Sequence, residues 1–209
     1  MVNEKMQAGR TLRFLPVFIL AVLLAAAAHG QDEVARDRYA GQLLVASPKM
    51  GDPRFQKSVI YMVEHNERGA LGLIVNKVYG KGPLRKLMQG FGMDPKGAEG
   101  RITLHFGGPV SADGAFMLHT GDYKSPRSRP VDDAISFTTD TRILRDVVAG
   151  KGPRRLLFVL GYAGWSAGQL EKEMERGDWS LSEADEDRVF GDAKEDMWDR
   201  IIGESEVPL

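Results

Sequence analysis

The stretch from Gly41 to Lys77, GQLLVASPKMGDPRFQKSVIYMVEHNERGALGLIVNK, constrains this chain most. It reads as three strands, two of them apolar on both faces. Gln42 to Ser47 is a short apolar run stopped by Pro48, which lacks a donor and pushes its predecessor toward extended backbone. Lys49 to Arg54 holds Gly51 and Pro53 and reads as a loop. From Ser58 to Glu64, Val59, Tyr61 and Val63 alternate with Ile60 and Met62, which suits a strand covered on both sides. Leu71, Leu73 and Val75 against Ile74 repeat the pattern. Between them Gly69 of Asn66-Glu67-Arg68-Gly69 can supply the positive φ of a tight turn, so an antiparallel hairpin is expected. Gly72 in the second strand marks a bulge or a close backbone approach. Asn76 at its end either presents its amide to a ligand or bonds nearby backbone.

Downstream, Gly82-Pro83 is read as opening a helix with Leu84, Leu87, Met88 and Phe91 on one face, ended by Gly90, Gly92 and Pro95. Arg101–Phe106 and Ala115–His119 read as strands joined through Gly107-Gly108-Pro109. The loop from Gly121 to Val131 carries Lys124, Arg127 and Arg129, either an anion site or a solvated turn. Ala134–Thr138 is a short strand. Asp140 is placed to cap a helix bearing Ile143, Leu144, Val147 and Val148, stopped by Gly150. Arg155–Gly161 is another buried-type strand. Ser166 and Gln169 form an S-x-x-Q capping box for a helix reaching Arg176 and ending at Gly177. Asp192 and Glu195 repeat that geometry before a last helix burying Met197, Trp198, Ile201 and Ile202, while the acidic Ser182–Asp187 is expected to be exposed.

Three segments together resemble the AlgH/YqgE family of bacterial proteins: SVIYMVEHNERGALGLIVNK, HFGGPV at His105–Val110, and LGYAGWSAGQLEKEM at Leu160–Met174. They stand in the family's order and spacing, and the likeness runs from about Tyr39 to the C-terminus. The resemblance implies a single domain over 39–209 of mixed α/β class, a curled, mostly antiparallel sheet forming a pseudo-barrel with flanking helices. It implies no established activity and no catalytic residues; the family's regulator label comes from an association with alginate production.

Met1–Arg13 is polar with three basic residues, and Phe14–Ala28 is an unbroken apolar run of fifteen. Ala28-His29-Gly30 then sets small residues before a cut ahead of Gln31. This is the pattern of a secretory signal peptide over 1–30, followed by a charged linker over 31–38, and it predicts export to the periplasm. The run is short for a membrane span, so contact with a membrane is expected only through an uncleaved leader. A mis-chosen start codon is the alternative and would leave the protein cytoplasmic, as most of the family looks. Without residues 1–30 the chain has 25 basic and 28 acidic groups, a net charge of −3. That offers no basic excess to a phosphate backbone, and no helix pair reads as a helix-turn-helix, so nucleic-acid binding is not expected. The absence of cysteine excludes disulfides, thiolate metal sites and a cysteine nucleophile.

The sharpest chemical motif is Gly164-Trp165-Ser166-Ala167-Gly168, a G-x-S-x-G between a predicted strand and a predicted helix, which is the setting of a nucleophile elbow. Against it, His29, His65, His105 and His119 all precede Ser166, whereas an α/β-hydrolase triad runs serine, acid, histidine. The resembled family also often carries glycine at that position. No G-x-G-x-x-G or P-loop follows Gly161-Tyr162-Ala163-Gly164. His105 and His119 lie on strands that could pair, but two imidazoles fall short of a zinc site. No catalytic residue, cofactor or metal is therefore assigned. The primary reading is a non-enzymatic binding or regulatory accessory protein with a protein or small-molecule partner. A serine hydrolase using Ser166 and a cytoplasmic regulator acting through protein partners are the alternatives. A ligand pocket is sought between Asn76, Trp165, Gln169 and Glu171, from polarity at strand and helix ends.

Overall fold

The computed structural model describes residues 38–192 and 194–206. The expected signal peptide, and all of the linker except Arg38, lie outside the described residues. The elements run β1 (Gln42–Ala46), β2 (Val59–Asn66), β3 (Gly69–Ile74), β4 (Val78–Pro83), α1 (Leu84–Gly90), β5 (Arg101–Phe106), β6 (Val110–Thr120), β7 (Arg129–Pro130), β8 (Ile135–Thr138), α2 (Ile143–Val148), β9 (Leu156–Ser166), α3 (Gln169–Glu175), β10 (Trp179–Glu183), α4 (Glu186–Phe190) and α5 (Met197–Glu206). Among the described residues the strands form one sheet ordered β10-β1-β2-β3-β9-β6-β8-β7, with β5 joined to β9 and β4 to β5. The pairings are antiparallel except β5 with β9. The sheet curls into a half-barrel flanked by helices, a mixed α/β fold in a single domain.

The two-faced apolar pattern of the opening stretch has a direct counterpart in packing. Leu43, Val45, Val59, Tyr61, Val63, Leu73 and Val75 point to one core, closed by Val189 of α4 and by Met197, Trp198 and Ile201 of α5. Their alternates Leu44, Ala46, Ile60, Met62 and Ile74 point to a second, with Trp165, Leu170 and Trp179. The Trp198 indole N–H donates to the Ala46 carbonyl at 2.7 Å and ties α5 to β1. A third core lies under α1 and α2, where Leu84, Met88, Ile143 and Leu144 cover Met117 and Phe158.

The expected hairpin is β2–β3, closed by Asn66 opposite Gly69 around a two-residue turn. Asn66 Oδ1 accepts from the Arg68 N–H at 2.9 Å. Gly69 has φ +138°, and a Cβ there would lie 2.2 Å from the Trp165 carbonyl oxygen on β9. Gly72 meets the bulge reading, and the space a Cβ would need there is taken first by side chains and not by an approaching backbone. It faces Met62 beside a bulge, and a Cβ would come within 2.4 Å of Ile60 Cγ2.

Elsewhere the structure departs from the sequence reading. Gly82-Pro83 closes β4, a strand not expected, and α1 starts only at Leu84, with Pro83 extended at its N-cap. β5 and β6 do not pair with each other. Gly107 keeps the chain alongside its neighbours, donating to the Leu160 carbonyl and accepting from the Ile74 N–H, so β9 runs between β5 and β6 and separates His105 from His119. The Asp140 carboxylate caps the turn before α2, accepting from the Arg142 backbone N–H at 3.2 Å, and not the helix itself. α5 begins at Met197, beyond the box expected at Asp192–Glu195. β10 and α4 extend into 182–187, a segment that stays exposed or half-buried as expected but is not free of structure, and Asp185 caps α4 through the Arg188 N–H.

Candidate functional site

β9 runs through to Ser166, which pairs with Gly69 as the strand's last residue. A nucleophile elbow needs its strained turn at the nucleophile. Here the left-handed residue is Gly168, φ +69°, two positions on, while Ser166 stays extended and exposed. Its backbone N–H and its hydroxyl both donate to Gln169 Oε1 at 3.1 Å. This is half of the expected capping box: the glutamine reaches back to the serine, but no side chain caps the α3 N-terminus. The described histidines are engaged elsewhere. His65 Nε2 lies 2.7 Å from Glu171 Oε1, His105 Nδ1–H donates to the Phe158 carbonyl, and His119 bonds the Thr120 carbonyl and the Ser128 hydroxyl. Burial lowers the basicity of His105, to a pKa of about 4, and of His119.

One turn along α3 stands a residue that gathers the surrounding polar groups. Glu173 Oε2 accepts the indole N–H of Trp165 at 2.8 Å and that of Trp179 at 2.9 Å. Its other oxygen, Oε1, accepts from Gln169 Nε2 at 2.9 Å. Charged acceptors bind such donors more strongly than neutral ones, and the carboxylate thereby fixes both indoles and the glutamine. The two indoles meet edge to face with centroids 6.0 Å apart, and Phe55 meets Trp179 in the same way at 5.6 Å. Together they line a cleft of about 450 Å³ between α3, β10 and the Met50–Phe55 loop. At its mouth stand two guanidinium–carboxylate pairs, Arg54 with Asp52 and Arg176 with Asp178, each closing at 2.6 Å. The hydrogen bond from Arg54 holds the Asp52 carboxyl below its ordinary value, against an opposing push from burial. A second hollow of about 410 Å³ adjoins the cleft and shares Val110, Gly164 and Trp165 with it.

Of the four residues proposed from sequence, Trp165 and Gln169 line this cleft together. Glu171 turns the other way, toward His65, which lies against the Tyr39 ring at 4.5 Å. Burial pushes the Glu171 carboxyl up, but its own backbone N–H, the His65 ring and the Arg38 charge outweigh this, and the group sits below its ordinary value. Asn76 stands outside the cleft. It is buried, its Oδ1 accepts from the Val59 N–H at 2.8 Å, and its Nδ2 donates to the Lys57 carbonyl at 2.9 Å. That is the backbone-bonding role. In the basic loop, Arg127 bonds Asp140 and Arg129 bonds Glu64, both at 3.3 Å.

Sequence reasoning missed Glu173, Trp179 and Phe55. A usable signal was present for the first: Gln169 and Glu173 are four apart and share one face of a helix. Nothing local marks Trp179 or Phe55, which reach the cleft from separate segments.

The AlgH-like family (DUF179) matches residues 43–209. The chain belongs to the AlgH-like family. A UPF0301 protein of Methylococcus capsulatus is 43% identical over 169 residues, covering 81% of this chain and 92% of that one. A UPF0301 protein of Rhodospirillum rubrum is 37% identical, over 78% of this chain and 85% of its own length. Among solved structures, the AlgH protein from Pseudomonas aeruginosa superposes with a TM-score of 0.70 at 32% identity, covering 81% of this chain and 90% of that one. A protein from Corynebacterium diphtheriae gives a TM-score of 0.66 at 20% identity, over 81% and 88% of the two chains, and shares the fold. In this AlgH-like chain the signature around Ser166 thus lies at the β9–α3 turn, and the cleft beside it is lined by Glu173 and the indoles it bonds.

Proposed function

We propose that this protein is a non-enzymatic, ligand-binding accessory protein whose binding seat is the cleft around Glu173. The observation that carries the reading is the carboxylate that locks two indoles and a glutamine into one wall. Such pre-set polar and aromatic groups in a concave site favour binding because little order has to be imposed when the ligand arrives. Against the hydrolase alternative, the Ser166 hydroxyl donates to Gln169, and the described histidines have their own partners. The decisive experiment is an ester-hydrolysis assay on the wild type and on Ser166→Ala. The expected result is the uncatalysed rate for both, with the variant less stable by about 1 kcal/mol or less, the worth of one exposed hydrogen bond. Turnover in the wild type that disappears in Ser166→Ala overturns the reading.

The proposal places the protein outside the cytoplasm, on the strength of the basic start, the apolar run Phe14–Ala28 and the small residues before Gln31. Intact-mass measurement on protein from fractionated cells is expected to find a chain starting at or near Gln31 in the periplasmic fraction. A cytoplasmic chain starting near Ala35 or Tyr39 would support a regulator working through cytoplasmic proteins.

A further inference from the structure

The charges lining the cleft do not balance. Asp52, Glu173 and Asp178 face Arg54 and Arg176, three carboxylates against two guanidiniums, leaving one net negative charge. Both guanidiniums are already engaged through two nitrogens each. Arg54 places Nε and Nη2 on Asp52 at 3.0 and 2.6 Å, and Arg176 places the same atoms on Asp178 at 3.1 and 2.6 Å. Each guanidinium charge is thus met by its own carboxylate, and the unmatched charge in the cleft is that of Glu173. Glu173 Oε1 holds one donor, Gln169, where a carboxylate oxygen has room for two.

The walls also favour a cation. Trp165, Trp179 and Phe55 meet at steep angles, 80° for the two indoles and 73° for Phe55 with Trp179, so they form sides and not a stack. Aromatic faces attract cations through the ring quadrupole, tryptophan most strongly. The chain provides its own example: the Arg54 guanidinium carbon stands 5.8 Å from the Phe55 centroid. The cleft's volume of about 450 Å³ falls within the range of small-molecule sites.

We infer that the cleft binds a small organic cation, an alkylated ammonium group whose charge lies against Glu173 and whose carbon shell lies against the three rings. The inference rests on the cleft being a binding seat and names the ligand class for it. Arg54 is then a resident cation that the ligand competes with.

The test is calorimetric titration of the full chain, with tryptophan fluorescence in parallel. The probes are choline, tetramethylammonium, the neutral choline isostere dimethylbutanol, and isovalerate as the anion. Choline is expected to bind with a Kd of about 1 mM or tighter, and dimethylbutanol and isovalerate about tenfold or more weaker. Glu173→Gln is expected to weaken choline by about tenfold. That change also disturbs the indole bonds, so Arg54→Ala, on an exposed loop, provides the second variant. Removing the resident cation is expected to tighten choline several-fold. Weaker choline binding in Arg54→Ala, equal binding of choline and its neutral isostere, or no binding of either ammonium probe overturns the cation assignment. The broader reading stands or falls separately, because it fails only on Ser166-dependent ester hydrolysis.

Discussion

Gly69 joins two constraints in one residue. It ends the hairpin turn with φ +138°, and it brings its backbone against β9 so closely that a Cβ would sit 2.2 Å from the Trp165 carbonyl oxygen. Alanine would meet both the conformational penalty and the clash, and the obstacle is backbone of a neighbouring strand, which cannot swing aside. Gly69→Ala is therefore expected to destabilise the fold by more than about 2 kcal/mol, measured by urea unfolding. A loss below that would mean β3 and β9 can separate at this end without cost. The turn role of Gly69 was legible, because turn chemistry is local. The clash with β9 was not, because its partner lies almost a hundred positions away. The same distinction runs through the site. Ser166, Trp165 and Gln169 were visible as one contiguous motif. Asn76 drew attention as a polar residue at a strand end, and its two backbone bonds to Lys57 and Val59 account for it. Glu173 was passed over because glutamate in a helix is ordinarily solvated. Only the two indoles converging from β9 and β10 make it a hub.

β9 is the element that joins the sheet together. Along one edge it carries β6; along the other it pairs first with β5 and then, nearer its end, with β3. Phe158 at the start of this span is fully buried in the core beneath α1 and α2, with the Phe91 ring 5.8 Å away. Phe158→Ala removes a large side chain where strands on both edges limit collapse, so a loss of about 3–5 kcal/mol is expected in chemical unfolding. A loss near 1 kcal/mol would show that α1 relaxes into the space. Strands that sequence pattern revealed, such as β1, β2, β3 and β9, bury alternating or continuous apolar side chains. The ones it missed do not. β4 reads VYGKGP, is largely exposed, and pairs only with β5, so backbone hydrogen bonding and not side-chain burial defines it. β10 buries Trp179 alone at its start and otherwise alternates serine with exposed residues. α4 has five residues, too few for a periodic signal, and Val189 is the buried residue it supplies.

Across the whole molecule, buried ionisable groups make stability depend on pH. Burial lowers the pKa of His105 from 6.5 to about 4, with the Phe158 carbonyl partly opposing and the Lys194 charge assisting. His119 is lowered as well, again chiefly by burial. Both are neutral in the fold, whereas the unfolded chain takes up protons as pH falls through about 6.5. The unfolded state then binds more protons, and stability declines from about pH 6.5 downward. For His105 the decline approaches about 3 kcal/mol by pH 4, from a depression of two to three pH units at 1.36 kcal/mol each. Below about pH 4.5 the depressed carboxyls of Glu171, Asp52 and Asp122 add to the loss, because their stabilisation is present above their ordinary pKa and vanishes on protonation. On the alkaline side Lys194, buried with its ammonium donating to the Val189 carbonyl, is lowered by burial from 10.5 to about 8. Its charge opposes folding at neutral pH, and stability rises as the amine loses its proton between about pH 8 and 10.5. Tyr61, raised by burial and by its bond to Asp132, reverses the trend above about pH 10, where only the unfolded chain ionises. Urea midpoints measured across this range are expected to peak near about pH 10 and, on the acid side, to fall continuously from about pH 6.5 downward. In His105→Gln, whose amide can still donate to Phe158, the slope between about pH 6.5 and 4 should be shallower by about one proton. A wild-type midpoint that stays flat down to about pH 4.5 would mean that His105 takes up its proton without leaving the fold, and that the wall between β5 and β9 opens enough to hydrate it.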